Sequence, residues 1–343
     1  MKLSIETAKS LGALNTFGIN AKAERFAVLQ QRSQLDDLMA HCRAEGGAFF
    51  LGGGSNILLT RDLPGLTIQV DLRGVAIDRT HAAGIRVTAA AGENWHAFVM
   101  HLIDQQVPGL ENLALIPGTV GASPIQNIGA YGLEVMERIA SVEVLDWQSG
   151  EILQLAASDC RFAYRDSIFK HHPGHWLVLS VTFLCPHPAE WQPVVGYKEL
   201  HDMLERETGG PATSASPRQV ADAVIAIRSR KLPDPRKIGN AGSFFKNPVV
   251  TPLECEALLQ AHPDLVHYPQ ADGTFKLAAG WLIDRCGWKG RIAGAAGVHE
   301  NQALVLVNRG GASGADVVAL SQAIQSDVHD RFGVTLEPEP VFL

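Results

Sequence analysis

Three short segments carry side chains suited to binding an anion or moving a proton. Tyr164-Arg165-Asp166-Ser167 places a permanent positive charge just after a turn, and a guanidinium suits bidentate recognition of a carboxylate or an enolate. A surface Arg–Asp pair is the commoner fate of such a dipeptide. In Gly239-Asn240-Ala241-Gly242-Ser243-Phe244-Phe245-Lys246-Asn247-Pro248, Ser243 is held between a glycine and two phenylalanines. Its hydroxyl either faces a partly dry pocket or satisfies a turn amide. In Leu336-Glu337-Pro338-Glu339-Pro340, two prolines restrict the backbone enough to aim the carboxyl group of Glu339. Alternation along an extended strand would turn Glu337 and Glu339 to one side, and a charged edge that resists strand pairing is the ordinary alternative.

Two glycine-rich segments could hold a ligand by backbone alone. The run Gly52-Gly53-Gly54-Ser55-Asn56 leaves several N–H groups unobstructed by side chains, as a phosphate or diphosphate requires. It matches neither the dinucleotide fingerprint nor the P-loop, and a tight turn without ligand fits equally well. The stretch 116–132 combines Ile116, Pro117, Gly118, Gly121, Gly129, Ala130, Tyr131 and Gly132 with the neutral hydrogen-bonding residues Ser123, Gln126 and Asn127. Flat walls with fixed donors and acceptors suit an isoalloxazine ring; an ordered loop between lobes is the other reading.

The elements that must position these residues read as α+β. Ser33 is a cap for a helix with apolar positions Leu35, Leu38, Met39 and Cys42, and Ala48-Phe49-Phe50-Leu51 reads as a buried strand ending in the first glycine run. Further strands are expected at 67–72, 86–90, 141–147 and 177–184, and a helix at 95–105. Pro186-His187-Pro188 marks a change of lobe. Beyond it, Ser216-Pro217 and Thr251-Pro252 each give an N-cap followed by proline at the first helical position. The first of these helices carries Val220, Val224 and Ile227 on one face; a third helix is expected at 314–331 and a strand at 303–307.

Composition narrows the function further. The chain has 343 residues, of which 46% are hydrophobic and 19% charged, enough for more than one core. A net charge of −7 argues against a general nucleic-acid binder, so an anionic ligand needs a local basic pocket. Five cysteines without a C-x-x-C pair signal neither a disulfide framework nor a thiolate zinc site. His171, His172 and His175, separated by Pro173 and Gly174, read as a loop and not a metal site. Residues 1–20 lack the pattern of a signal peptide and no run is long enough to span a membrane, so a cytoplasmic protein is expected.

Taken in order, these motifs resemble those of the UDP-N-acetylenolpyruvoylglucosamine reductase family, from Asn15-Thr16-Phe17-Gly18 to Glu339. The resemblance implies an FAD-binding domain of the type shared with vanillyl-alcohol-oxidase-like enzymes over 13–187, a C-terminal α+β substrate domain over 188–335, and a tail, 336–343, returning toward the first. It implies noncovalent FAD, NADPH as co-substrate, and reduction of UDP-N-acetylglucosamine enolpyruvate to UDP-N-acetylmuramate for peptidoglycan, by a monomer. Carried over by residue, Ser243 would protonate the substrate while Arg165 and Glu339 stabilise the intermediate. The segment Trp191-Gln192-Pro193-Val194-Val195-Gly196-Tyr197 resembles the tyrosine loop of the longer subtype, with Tyr197 closing over the diphosphate. Lys231, Asn247, Lys289 and Gln302 match positions that meet substrate or NADPH, and Arg228 lies about one helical turn before Lys231. Pro340 departs from the aliphatic residue familiar after the family's glutamate, which bears on the pose of Glu339.

Overall fold

The computed structural model describes residues 2–343. Its backbone packing gives two compact units, one comprising 2–9, 23–54 and 64–230, the other 10–22, 55–63 and 231–343. The division does not fall at Pro186–Pro188: the helix Pro217–Lys231 buries Val220, Ala221, Val224 and Ile227 in the core of the first unit.

The first unit holds two sheets. One orders its strands Glu6–Ser10, Lys22–Leu29, Leu63–Val70 and Phe49–Leu51, and the last runs parallel to its neighbour, with Leu51 beside Gln69. The other is an antiparallel sheet of Ile152–Ala156, Ile139–Asp146, Trp176–Cys185, Ile85–Ala90 and Val75–Asp78. Period-two alternation sorts its faces. Val87, Ala89, Val142, Val144, Val181 and Phe183 are buried on one, against Trp95, Phe98, Val99 and Leu102 of the helix Trp95–Asp104. The Phe183 ring lies 5.4 Å from Phe98 and 6.0 Å from Trp95, and burying each such ring contributes about 1.5–3 kcal/mol. The opposite face is polar, with Thr88 and Thr182 hydroxyls 3.0 Å apart and Ser180 bonded to Glu143.

The second unit is built on the helix Gly314–Phe332, whose Val317, Leu320, Ile324, Val328 and Phe332 are buried. A Cβ on Gly314 would lie 2.0 Å from the Leu59 carbonyl oxygen, so only glycine lets this helix start so close to segment 58–60. Its sheets are Gly239–Asn240, Leu306–Asn308, Ala296–Val298 and Ile292–Ala293, and Val249–Val250, Phe275–Leu277 and His267–Pro269. The tail strand Val341–Phe342 pairs in parallel with Ile57–Leu58.

Several sequence-based expectations need revision in detail. The helix Leu35–Glu45 is not capped by Ser33: a 3-10 turn, Arg32–Gln34, precedes it, and Gln34 Oε1 accepts from the N–H groups of Gln30 and Gln31 at 2.9 Å. The strand expected at 303–307 is realised as Leu306–Asn308, because Val305 N–H closes a turn onto Gln302. The proline-marked helices, Pro217–Lys231 and Pro252–Ala261, begin where the sequence places them, the latter with a reciprocal Thr251–Glu254 capping box.

Candidate active site

The two glycine segments meet in the first unit. A Cβ on Gly53 would lie 2.9 Å from Gly118 Cα, one on Gly52 would lie 2.8 Å from Thr119 Oγ1, and one on Gly121 would lie 2.5 Å from Ala91 Cβ. The sequence at 52–54 and 118–121 therefore lets backbone pack directly on backbone. Ile116, half-buried, and Pro117, exposed, lead into this contact. Glycine backbone without side chains suits the close approach of a flat heteroaromatic ring or a diphosphate.

Two of the polar residues of 116–132, Ser123 and Asn127, make side-chain hydrogen bonds within the protein. Ser123 is buried and its hydroxyl donates to the Val120 carbonyl at 2.7 Å. Asn127 is also buried: its Nδ2 donates to Glu134 Oε2 at 2.7 Å and to the Ala163 carbonyl at 3.0 Å, and its Oδ1 accepts from Met136 N–H at 3.1 Å. Both side chains shape the loop from within. Gln126 is half-buried, and Gly129, Ala130 and Tyr131 pass along the loop's outer stretch, where Gly129–Ala130 pairs with Leu133–Glu134.

Arg165 is mounted on this loop. Its guanidinium donates to the Gly129 carbonyl at 2.7 Å and to the Asn127 carbonyl at 3.3 Å. The turn that bears it is closed by reciprocal Ala163–Asp166 backbone bonds of 3.1 Å, and Arg165 itself has φ +55°. A left-handed conformation at arginine costs about 1–2 kcal/mol, so its neighbours must impose it. Lys170 Nζ on the Arg165 carbonyl at 3.0 Å, Ser167 Oγ on the Ile125 carbonyl and the 2.7 Å His171–Asp166 contact do so.

The segment 191–197 is tied to the same loop. Trp191 Nε1 donates to Glu111 Oε1 at 2.7 Å, Asn112 Nδ2 bridges the carbonyls of Val194 at 2.7 Å and Tyr131 at 2.9 Å, and the Tyr197 ring packs edge-on against Tyr131 at 5.0 Å. Burial pushes the Glu111 carboxyl up from its ordinary range, opposed by the N–H of Gly109, Trp191 and the charge of Arg138. Arg228 stands near Tyr131 and Arg165, its Nε buried without a hydrogen-bond partner among the described residues. Burial pushes its guanidinium down, with Tyr131 opposing and Arg165 reinforcing that shift. His96, beside Arg228, accepts the Leu115 N–H on Nδ1 at 3.1 Å, and burial followed by the charge of Arg228 holds its pKa below the ordinary histidine value. Glu111, Asn112 and His96 escaped the sequence reading because little in the local sequence marks them: apart from Gly109 beside Glu111, the partners named here are 19 to 82 residues away.

The second unit gathers another set. Glu339 N–H donates to the Phe244 carbonyl at 2.8 Å and Lys246 N–H to the Glu337 carbonyl at 2.9 Å, with Phe245 opposite Pro338. Ser243 is half-buried, follows Gly242 at φ +72° and precedes two fully buried phenylalanines. Asn56, in this unit with Ser55, donates from Nδ2 to the Glu339 carbonyl at 3.2 Å. Asn247 Oδ1 accepts the Ala279 N–H at 3.0 Å at the start of the helix Ala279–Arg285. Gln302 reaches the same end: a Cβ on Gly280 would lie 3.7 Å from its Oε1. Lys289 follows the other end of that helix, 3.5 Å from Asp284, and Lys231 closes the helix Pro217–Lys231.

Residues 234–343 match the family model described as UDP-N-acetylenolpyruvoylglucosamine reductase, C-terminal domain, and 23–156 match an FAD binding domain. The UDP-N-acetylenolpyruvoylglucosamine reductase of Paraburkholderia xenovorans is 54% identical over 335 residues, 97% of this chain and 96% of that protein. The protein of the same name from Bordetella pertussis is 53% identical over 335 residues, 97% of this chain and 94% of its own. The crystal structure of the UDP-N-acetylenolpyruvylglucosamine reductase of Thermus caldophilus superposes with a TM-score of 0.66 over 99% of this chain and 98% of that one, at 22% identity, and so shares its fold. With this identity sustained along nearly its whole length, the chain belongs to the UDP-N-acetylenolpyruvoylglucosamine reductase family.

Proposed function

We propose that the protein reduces UDP-N-acetylglucosamine enolpyruvate to UDP-N-acetylmuramate, using noncovalently held FAD and NADPH, in cytoplasmic synthesis of the peptidoglycan precursor. The observation that carries this reading is Arg165, a permanent cation fixed on the carbonyls of Asn127 and Gly129 in a glycine-lined loop. A carboxylate-bearing substrate suits a guanidinium whose orientation is set in advance.

The glycine backbone at Gly52, Gly53, Gly54 and Gly118 is assigned to the diphosphate and ring of FAD, together with Ile116, Pro117 and Tyr131. When bound, FAD supplies the hydride that the enolpyruvyl methylene carbon receives. Negative charge then develops on the carbon next to the carboxylate. Arg165 holds that carboxylate and opposes the charge, and Glu339 stabilises the same species; a preorganised group of this kind is worth about 2.7–4 kcal/mol. Ser243 delivers its hydroxyl proton to the charged carbon, completing the lactyl ether. Serine is a weak acid, so this role depends on placement, and the buried Phe244 and Phe245 with the Leu304–Phe244 backbone bond of 2.7 Å fix the residue's position. Arg228 and Tyr197 flank Tyr131 and suit the diphosphate of the sugar nucleotide; Lys231, Asn247, Lys289 and Gln302 are assigned to substrate or NADPH.

The test is turnover of holoenzyme with NADPH and UDP-N-acetylglucosamine enolpyruvate, with the product identified by mass spectrometry. A product carrying two added hydrogens, formed only with both compounds present, is expected. NADPH consumption that ignores the enolpyruvyl nucleotide would overturn the reading.

A further inference from the structure

We infer that Asn127 is a positioning residue for Arg165 and not a contact of the cofactor. Four of the seven described non-glycine residues with positive φ, Leu115 (+59°), Asn127 (+43°), Tyr131 (+50°) and Arg165 (+55°), fall in this one site. Such concentration marks backbone held in place by its surroundings. Asn127 touches that backbone at both ends.

Its main-chain carbonyl receives one N–H of the Arg165 guanidinium, and its Nδ2 donates to the carbonyl of Ala163, the residue that closes the turn bearing Arg165. The same Nδ2 is held by Glu134 Oε2, and its Oδ1 by Met136 N–H, so the amide is aimed by two partners before it reaches the turn. All its side-chain polar atoms are thereby engaged by protein, and the residue is fully buried. Asparagine meets both demands of the position: it tolerates the left-handed region better than most residues, and it carries a donor and an acceptor on one short side chain. Aspartate keeps the shape and the acceptor but loses the donor, and would face the Glu134 carboxylate.

The inference rests on the carboxylate-binding role proposed for Arg165, and a double-mutant cycle separates the two. FAD content, kcat and KM for UDP-N-acetylglucosamine enolpyruvate are measured on purified holoenzyme for Asn127→Asp, Asn127→Ala, Arg165→Ala and the Asn127→Asp/Arg165→Ala pair. The expected result is retained FAD with kcat/KM for the enolpyruvyl nucleotide down by roughly 10²-fold in Asn127→Asp, the scale of loss that misplacing a reacting group by about 1 Å produces. In the Arg165→Ala background the same change should add little. Fully multiplicative losses, or FAD lost equally in both backgrounds, would overturn the positioning role. If Arg165→Ala itself leaves kcat/KM for the enolpyruvyl nucleotide unchanged, the proposed role of Arg165 fails. If Asn127→Ala does not fold, Asn127→Asp alone decides the matter.

Discussion

Glu339 donates its backbone N–H to the carbonyl of Phe244 at 2.8 Å, which sets the tail glutamate opposite the residue that follows Ser243. Two potential proton donors from segments almost 100 residues apart are thus registered by one backbone ladder. Their roles can be separated by observing the two halves of the reaction. Ser243→Ala is expected to leave flavin reduction by NADPH within about twofold of the parent while slowing reoxidation by the enolpyruvyl nucleotide at least 10²-fold. Equal small effects on both halves, read by stopped-flow absorbance, would remove Ser243 from the proton-delivery role. Glu339→Gln retains a hydrogen-bond donor, so a modest loss points to electrostatic support and a severe loss to proton transfer.

Pro340 follows that glutamate, and the ladder explains why it is tolerated. Glu339 N–H faces Phe244 and Val341 N–H bonds the Asn56 carbonyl at 3.0 Å, so the donor that proline lacks falls between two that are used. Pro340→Val should therefore change kcat/KM by no more than about twofold. A loss comparable to that of Glu339→Gln would show that the proline itself aims the carboxylate.

Gly53 tests whether the close backbone packing of 52–54 on Gly118 supports FAD binding. Its added Cβ would meet Gly118 Cα at 2.9 Å and Gly118 C at 3.3 Å, neither of which can rotate away. Gly53→Ala is expected to lower FAD content sharply. Gly210→Ala, where the nearest atom is Ser214 Oγ at 4.0 Å, serves as the control and should keep it. The flavin-to-protein absorbance ratio of purified protein reads the difference, and equal FAD content in both variants would contradict a backbone cradle at Gly53.

His96 predicts a pH dependence. Burial and then the charge of Arg228 lower its pKa below the ordinary value of about 6.5, so the unfolded chain takes up the proton more readily than the folded one. Its contribution is complete above about pH 6.5 and is lost as pH falls through the lower folded value. Replacing it by Gln should make stability, measured by urea denaturation from about pH 7.5 to 5, fall less steeply than in the parent. Parallel curves for the two proteins would show that His96 is not held neutral.

How much of this could be read in the sequence depends on the range of the interactions. Ser216-Pro217 and Thr251-Pro252 marked helix starts because the capping interactions lie within four residues, and the glycine runs marked close backbone packing because no other residue fits it. Pro186-His187-Pro188 misled as a boundary, because residues 198–230 return to the first core through apolar contacts that no local signal reports. The membership of 10–22 and 55–63 in the second unit is equally nonlocal. At the site, Arg165 was legible as a charge in a turn, but its left-handed backbone and its seat on the Asn127 and Gly129 carbonyls arise from folding across 36 to 38 residues. Ser123 and Asn127 looked like ligand contacts from their chemistry, and only their burial shows that the protein consumes their hydrogen bonds.

Anaerobic stopped-flow absorbance at the flavin band distinguishes a reductase of the enolpyruvyl nucleotide from an oxidase. NADPH should bleach the bound flavin, and UDP-N-acetylglucosamine enolpyruvate should then restore the colour without oxygen, in a phase that Arg165→Ala and Ser243→Ala slow selectively. A reduced flavin that stays bleached with the enolpyruvyl nucleotide, and recovers only when air is admitted, would contradict the reductase reading.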